Sequence, residues 1–296
     1  MNGTAMITGF EDHSLHVNGQ DIAFSLAGEG PPVLLLHGFP QTRALWAQVA
    51  PLLAQRYSVV AADLRGYGDS SKPDGVEAMS FRNMGADQLA LMQALGHETF
   101  HLIGHDRGGR TAHRLALDAP EAVASLTVMD IVPTHLLLSD LSKEVARAYY
   151  HWFFLSQPAP VPETLISADV DAFFHSCLTG WGGAGLADFA PEQLDAYRRA
   201  WRDPACIHTM FNDYRAAIDV DFALDNADLS QKVTCPALVA YGADGAMARH
   251  YDMAAAWSPR LANMQTTTVP GGHFFVDQSP EATAAALLTF LDSLAA

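Results

Sequence analysis

Apolar runs alternate with helical patterns along most of the chain. Two segments of strand character, HSLHVNG and DIAFSLAG, are separated by Asn18-Gly19, a pair that favours a hairpin turn. Short continuous apolar runs, which predict strands buried on both faces, follow at PPVLLLHG, YSVVAADL, TFHLIGHD and SLTVMD. Helices are predicted near 43–55, 80–95 and 107–118. Because strands alternate with helices, the pattern predicts an α/β fold with a mostly parallel, doubly wound sheet.

The pattern changes between residues 133 and 226. Helical spacing and aromatic residues dominate there, and no strand is predicted, as in VARAYYHWFFL, QLDAYRRAW and MFNDYRAAI. Strand character returns at CPALVAYGAD and MQTTTVPG, and a helix is predicted at PEATAAALLTFLDSL. We therefore predict one α/β core built from 1–132 and 227–296, with residues 133–226 inserted as a helical cap.

Composition and charge exclude several classes of protein. The formal net charge is −16 and no basic run occurs, so neither nucleic acid nor an anionic membrane surface is expected as a partner. No run of eighteen apolar residues predicts a transmembrane helix, and the N-terminus lacks the pattern of a signal peptide. The three cysteines are far apart and form no C-x-x-C pair, which favours a reducing cytoplasm over a disulfide framework or a zinc site. No metal or cofactor is expected.

Polar residues follow several of the predicted strands. They are His37, Asp106, Asp130, Asp244 and His273. In doubly wound sheets the carboxyl ends of the strands border the crevice in which ligands bind. A single aspartate at such a position is more often a helix cap or a turn residue, but five polar residues at strand ends predict a shared site.

The heptapeptide GHDRGGR places Asp106 where many hydrolases carry a serine nucleophile on a sharp turn. No serine of this chain lies in a Gly-x-Ser-x-Gly pattern. A carboxylate at that position can displace a leaving group from saturated carbon and form an alkyl ester. Water activated by His273 can then attack the ester carbonyl and regenerate Asp106. The backbone N–H groups of Phe39 and Arg107 are candidate donors to the oxyanion.

Two arginines accompany the aspartate. Arg107 and Arg110 are three positions apart on the predicted first helical turn, so their side chains share one face. Such a pair is often a surface helix with ion pairs, but no acid lies three or four positions after either arginine. In a chain of net charge −16, this local positive charge indicates that the site binds an anion.

Together, GHDRGGR, HGFP at 37–40, DLRGYGDSSKP at 63–73, HW at 151–152 and GGHF at 271–274 resemble the fluoroacetate dehalogenases of the α/β-hydrolase superfamily. The similarity covers essentially the whole chain. HGFP and DLRGYG are shared by many relatives, whereas Asp-Arg-x-x-Arg combined with His-Trp is specific. The resemblance implies the α/β-hydrolase fold with a helical cap, a small anionic haloacid and water as substrates, and a homodimer.

The resemblance also implies a role for each matching residue. Asp106 would be the nucleophile, His273 the base that activates water, and Asp130 the acid that orients His273. Arg107 and Arg110 would hold the substrate carboxylate. The halide pocket would be lined by three residues: His151, Trp152 and Tyr214. Asp244 stays open as an alternative to Asp130, because other members of the superfamily carry the acid at that place.

Three other functions remain open at this point. An epoxide hydrolase uses the same aspartate and histidine but needs two cap tyrosines to protonate the epoxide oxygen, and a neutral epoxide has no use for paired guanidiniums. A dehalogenase that prefers chloroacetate or bromoacetate has the same sequence requirements. A non-catalytic small-molecule receptor on the same fold is disfavoured because Asp106 and His273 are both present.

Overall fold

The computed structural model describes residues 5–180 and 183–294. Within this part of the chain eight strands form one sheet: β1 Glu11–Val17, β2 Gln20–Ala27, β3 Pro32–Leu36, β4 Ser58–Ala62, β5 Phe100–His105, β6 Val123–Met129, β7 Val233–Gly242 and β8 Leu261–Val269. Their order is β1-β2-β4-β3-β5-β6-β7-β8. Only the pairs β1–β2 and β2–β4 are antiparallel. The predicted α/β class with a mostly parallel sheet is confirmed.

The predicted hairpin lies between β1 and β2. Asn18 and Gly19 both have positive φ, 50° and 74°, and they connect the paired residues Val17 and Gln20. Two successive positive φ angles are the requirement of a two-residue turn that matches the twist of the strands. The prediction from this dipeptide is therefore confirmed.

Helices cover the sheet on either side of the central strands. They are α1 Ala50–Leu53, α2 Phe81–Ala94 and α3 Arg107–Asp118 before β6, and α12 Ala246–His250, α13 Met253–Trp257, α14 Phe275–Gln278 and α15 Pro280–Ser293 after β7. The single helix predicted near 43–55 is wrong, because this region contains a 3₁₀ helix at Arg43–Ala47 followed by α1. Pro51 has no N–H to donate to the carbonyl of Ala47, which a continuous α-helix would require.

The described residues between β6 and β7 form helices and contain no strand. The helices are α4 Thr134–Ser139, α5 Lys143–Ala148, α6 Tyr150–Leu155, α7 Val161–Ile166, α8 Val170–Gly180, α9 Pro191–Trp201, α10 Pro204–Ala216 and α11 Phe222–Ala227, with a π-helical turn at Ala217–Asp221 between α10 and α11. We call these residues the helical segment. Among the described residues, no helix is long and apolar enough to cross a membrane.

A buried polar cluster joins the helical segment to the sheet. The carboxylate of Asp277 on α14 accepts hydrogen bonds from Gln41 Nε2 at 2.9 Å, and from the Tyr197 hydroxyl and Gln193 Nε2 at 3.2 Å each. Gln41 belongs to the loop after β3, while Gln193 and Tyr197 lie on α9. Burial raises the pKa of Asp277 to about 7. One titratable carboxyl group therefore takes part in the attachment of the segment to the sheet.

Candidate active site

Asp106 occupies a sharp turn between β5 and α3. Its backbone has φ 49° and ψ −115°, a conformation that residues other than glycine rarely adopt and that costs about 1–3 kcal/mol. Two glycines allow the turn to close, since a Cβ atom on Gly104 would lie 2.2 Å from the carbonyl oxygen of Gly108. The turn places the Asp106 side chain at the carboxyl edge of the sheet.

The Asp106 carboxylate is held in its ionised form. The Phe39 N–H donates a hydrogen bond of 2.9 Å to Oδ1, so this predicted oxyanion donor contacts the carboxylate of the predicted nucleophile. Burial alone would raise the pKa of Asp106, but the nearby positive groups, led by His273 and Arg107, outweigh it and lower the pKa below its ordinary value. An ionised carboxylate is the form that can attack carbon.

His273 is paired with Asp130. Its Nδ1 lies 2.7 Å from Oδ2 of Asp130, whose Oδ1 accepts the N–H of Gly242 at 3.0 Å. Burial lowers the pKa of His273, but the hydrogen bond and charge of Asp130 outweigh burial and raise the pKa above its ordinary value. Asp244, the other candidate acid, donates its N–H to the carbonyl of Gly271. Of the two acids, Asp130 is the one whose carboxylate contacts the imidazole.

His105, which precedes Asp106, contacts the backbone of the loop that carries His273. Its Nε2 donates a hydrogen bond of 2.8 Å to the carbonyl oxygen of His273, and burial, followed by the charge of His273, lowers the pKa of His105 to about 4. His105 is therefore neutral and links the end of β5 to the backbone of His273. The sequence analysis did not single out this residue, because a histidine beside a nucleophile has no distinctive spacing.

Arg107 forms a buried ion pair with Asp213 on α10. Arg107 Nε donates to Oδ2 of Asp213 at 2.9 Å, Nη2 donates to Oδ1, and Nη2 also reaches the Asp213 carbonyl at 2.9 Å. The Tyr67 hydroxyl adds a third donor to this carboxylate at 2.6 Å. This partner comes from the helical segment and lies far from Arg107 in the sequence, so the spacing of charged residues around Arg107 does not indicate it. Only the tertiary contact between α3 and α10 reveals it.

Arg110 has no carboxylate partner among the described residues. Its Nη1 donates to the Val132 carbonyl at 3.0 Å and to Oγ1 of Thr134 at 3.1 Å, both neutral acceptors. Burial and the charge of Arg107 lower the pKa of Arg110. In this arginine pair, one buried donor of each guanidinium lacks a hydrogen-bond partner among the described residues: Nη1 of Arg107 and Nε of Arg110. Unsatisfied buried donors are costly, so this pair indicates an anionic ligand.

Aromatic residues of the helical segment surround the two guanidiniums. The Trp152 ring lies 4.7 Å from Cζ of Arg107 and 4.7 Å from Cζ of Arg110, and the Tyr214 ring lies 4.3 Å from Cζ of Arg107. The Tyr214 ring also meets the His151 ring edge-on, with 5.7 Å between centroids. The three residues predicted for the halide pocket are therefore brought together: Trp152 and Tyr214 contact the arginines, and His151 contacts Tyr214.

A cavity of about 160 Å³ lies beside Asp106, His151 and His273. Its lining consists of Asp106, Asp130, Ala148, Tyr149, His151, Gly180, Ala246, Arg249, His250 and His273. An engineered cavity of roughly 150 Å³ accommodates benzene, so this one suits a ligand of only a few heavy atoms. Tyr149 lies in the wall, although the sequence analysis did not select it, because adjacent tyrosines in AYYHW give no indication of which one faces inward.

Comparison with known proteins gives a family and close relatives. The family model described as alpha/beta hydrolase fold matches residues 31–280. A fluoroacetate dehalogenase of Burkholderia sp is 54% identical over 289 residues, which cover 97% of this chain and 95% of the relative. The similarity therefore extends over the sheet and the helical segment alike.

More distant relatives have the same fold. A soluble epoxide hydrolase of Corynebacterium sp. (strain C12) is 31% identical over 279 residues, which cover 93% of this chain and 95% of the relative. A crystal structure of a protein from Nostoc sp PCC 7120, described as an alpha/beta hydrolase, has a TM-score of 0.94 and 45% sequence identity. That superposition covers 96% of this chain and 98% of the other.

Proposed function

The chain belongs to the α/β hydrolase family, and we propose that it is a hydrolytic dehalogenase that converts fluoroacetate and related haloacetates to glycolate and halide. The identity of 54% to a fluoroacetate dehalogenase supports this activity. The structural observation that carries the proposal is the pair of unpartnered buried donors, Arg107 Nη1 and Arg110 Nε, beside the ionised carboxylate of Asp106. A small acid whose α-carbon bears the halogen satisfies both features.

In the first half-reaction the substrate carboxylate binds the two arginine donors. This contact orients the α-carbon toward Asp106, whose carboxylate oxygen forms a carbon–oxygen bond as the carbon–halogen bond breaks. The product is an ester of glycolate on Asp106, and the halide leaves with the bonding electrons. Because Asp213 already balances the charge of Arg107, Arg110 supplies the net positive charge that the substrate anion requires.

In the second half-reaction water hydrolyses that ester. The hydrogen bond to Asp130 holds the Nδ1–H of His273, which leaves the Nε2 lone pair to accept a proton from water. Hydroxide attacks the carbonyl carbon of Asp106, and the Phe39 N–H, 2.9 Å from Oδ1, stabilises the oxyanion. Cleavage of the ester releases glycolate and restores the carboxylate.

Three residues of the helical segment complete the site in this proposal. We assign His151, Trp152 and Tyr214 to the halide pocket, because Trp152 and Tyr214 lie against the arginines, His151 packs on Tyr214, and all three can present N–H or O–H donors. Fluoride has a concentrated charge, so these donors matter most for that leaving group. Residues 133–226 then act as a cap over the sheet formed by 1–132 and 227–296.

The setting of the enzyme is also part of the proposal. The cysteines Cys177, Cys206 and Cys235 are free, which fits a reducing cytoplasm. We expect a homodimer, as the resemblance to fluoroacetate dehalogenases implies. Light scattering of the purified protein would measure the mass of the assembly, and a mass of one chain would contradict the dimer.

Halide release tests the activity directly. The protein is incubated with fluoroacetate and, separately, with chloroacetate, while an ion-selective electrode records free halide. A single turnover in water labelled with heavy oxygen should place the label in the peptide that contains GHDRGGR, as mass spectrometry can show. Label that appears only in glycolate would mean that water attacks the substrate directly and that Asp106 is not the nucleophile.

A variant separates the two half-reactions. His273→Asn should still undergo alkylation but fail to hydrolyse the ester, so an adduct of glycolyl mass should accumulate on Asp106. Asp106→Asn is the matched control and should form no adduct. A folded His273→Asn protein that neither forms the adduct nor releases halide would contradict the role of His273 as the base of the second step only.

A further inference from the structure

Two tyrosine side chains share the surroundings of Asp106. Tyr149 lies in the wall of the cavity that contains Asp106 and His273. Tyr214, on α10, packs edge-on against the Phe39 ring at 5.1 Å between centroids. Both tyrosine rings contact the His151 ring, with centroid distances of 5.6 Å and 5.7 Å. Both tyrosine rings therefore pack against His151, and both lie near enough to Asp106 for its charge to act on their phenols.

Both phenols keep their protons at neutral pH. Burial raises the pKa of Tyr149 and the pKa of Tyr214 well above the ordinary value, and the charge of Asp106 adds to the effect in each case. The site thus combines one ionised carboxylate with two neutral acids. A halide leaves without a proton, whereas an oxygen that leaves carbon needs one. This set of groups supports a reaction that dehalogenation does not require.

We propose that the same pocket opens small epoxides that carry a carboxylate, such as oxirane-2-carboxylate, to the corresponding dihydroxy acid. The inference rests on the proposed function, since it uses Asp106 and His273 in the same roles. The carboxylate is required because a neutral epoxide would leave Arg107 Nη1 and Arg110 Nε without a partner. The cavity of about 160 Å³ has room for a three-carbon acid.

The first step forms an ester and breaks the ring. A carboxylate oxygen of Asp106 bonds to the ring carbon next to the substrate carboxylate, and the bond from that carbon to the ring oxygen breaks. The electron pair goes to the oxygen, which takes a proton from the phenol of Tyr214 or Tyr149. The products of this step are a hydroxy-ester on Asp106 and a tyrosinate.

The second step consumes one water and restores every group. His273 takes a proton from water, the hydroxide adds to the ester carbonyl of Asp106, and the ester bond to the alcohol breaks. Of the two protons that water brings, one passes through His273 to the departing alcohol, and the other returns to the tyrosinate. The sum is epoxide plus water giving the diol, so no oxidant, reductant or further reactant is needed.

The experiment compares two substrates on the same variants. Wild type, Tyr149→Phe and Tyr150→Phe are each supplied with oxirane-2-carboxylate, and dihydroxy acid is measured by mass spectrometry. In parallel they receive chloroacetate, and released chloride is measured. Tyr150 is the matched control, because it is adjacent to Tyr149 in the chain and is 46% exposed. Asp106→Asn measures the uncatalysed background.

Wild type should form the dihydroxy acid above the Asp106→Asn background. Loss of a general acid costs roughly a hundredfold or more, and with two phenols present we expect Tyr149→Phe to lose about ten- to a hundredfold of epoxide opening. Its chloride release should fall by a clearly smaller factor than its epoxide opening, because chloride needs no proton. Tyr150→Phe should match wild type on both substrates. Oxirane-2-carboxamide, which lacks the charge, should be turned over at least about tenfold more slowly than the acid.

The possible failures are distinguishable. If wild type releases chloride from chloroacetate but forms no dihydroxy acid, the inference is overturned and the proposed function stands. If wild type acts on neither substrate, the proposed function fails first. Equal losses on both substrates in Tyr149→Phe would make Tyr149 a packing residue and overturn the assignment of the acid. Equal turnover of the amide and the acid would overturn the requirement for a carboxylate.

Discussion

The Nδ1 atom of His273 lies 2.7 Å from Oδ2 of Asp130, and this contact determines the protonation of the imidazole. Burial opposes the charged form of His273, but Asp130 outweighs burial and raises the pKa of His273 above its ordinary value. A base must be neutral to take a proton from water. We therefore expect kcat to fall as the pH drops through this raised pKa and to reach a plateau at higher pH.

Substitution of the acid tests this relationship. Asp130→Asn removes the negative charge, so the midpoint of the acidic limb should move to lower pH. The plateau value of kcat should fall by roughly two to four orders of magnitude, because the tautomer and orientation of His273 are less well held. The measurement is halide release across pH 5 to 9 with circular dichroism as a check of folding. An unchanged midpoint in a folded variant would show that Asp130 does not set the pKa of His273.

The two arginines should differ in their effect on stability. Arg107→Leu leaves the buried carboxylate of Asp213 without its cation, so the free energy of unfolding should fall by about 3–5 kcal/mol. Arg110→Leu removes hydrogen bonds to two neutral oxygens, and its cost should be about 1–3 kcal/mol. Urea unfolding of both variants and wild type measures the difference. Equal losses of stability would contradict the view that only Arg107 is charge-paired.

Arg110→Leu should nevertheless be severely impaired in catalysis. A charge-assisted hydrogen bond to a carboxylate contributes about 1.5–3 kcal/mol, so kcat/KM for chloroacetate should fall at least ten- to a hundredfold. The matched control is Arg82→Leu, which alters a partly exposed arginine on α2 that pairs with Asp118 at the far end of α3. Near-normal kinetics in Arg110→Leu would refute the role of Arg110 in binding the anion.

Trp152→Phe should discriminate between halides. The substitution keeps an aromatic ring between the guanidiniums but removes the indole N–H. Loss of one preorganised donor costs about 2.7–4 kcal/mol in comparable sites, a factor of roughly a hundred to a thousand in kcat. Fluoride needs the donor more than chloride does, because its charge is concentrated and its bond to carbon is stronger. We expect fluoroacetate turnover to be mostly lost while chloroacetate turnover retains a larger share. Proportional losses on both substrates would make Trp152 a packing residue.

Asp277 should give the protein a pH-dependent stability. In the folded chain burial raises the pKa of Asp277 to about 7, whereas in the unfolded chain it ionises near pH 4. Between these values the folded state binds more protons, so the free energy of unfolding should decrease as pH rises from about 4 to about 7. Above pH 7 this contribution is constant. Acid therefore favours the attachment of the helical segment at this cluster.

Asp277→Asn should remove the part of the pH dependence of the free energy of unfolding that comes from this carboxyl group. Urea unfolding at pH 5 and pH 8 should show a smaller loss of stability in the variant than in wild type. Asp195→Asn is the control, since its side chain is 64% exposed. If the variant and wild type lose the same stability between the two pH values, Asp277 is not the titrating group.

The sequence by itself determined the sheet and the candidates for the reactive residues. Buried strands appear as continuous apolar runs, and the Asn18-Gly19 turn depends on backbone preferences that are local to two residues. Asp106 and its turn could be predicted for the same reason, since Gly104 is required where its backbone approaches that of Gly108, four residues later in the turn. The single helix predicted near 43–55 failed because Pro51 lacks an N–H, a local effect that outweighed the apolar spacing.

Only the tertiary structure decided how those residues are paired. Asp213 meets Arg107 from a helix 106 positions away, and no spacing rule connects two residues so distant in sequence. Likewise, Asp130 and Asp244 both follow strands, and the choice between them depends on where the His273 loop crosses the sheet. The inward position of Tyr149 depends on how the helical segment packs. Each of these is a contact between separate elements, and its energy depends on the distance between the two groups in the folded protein. The patterns in the sequence report only on neighbours along the chain.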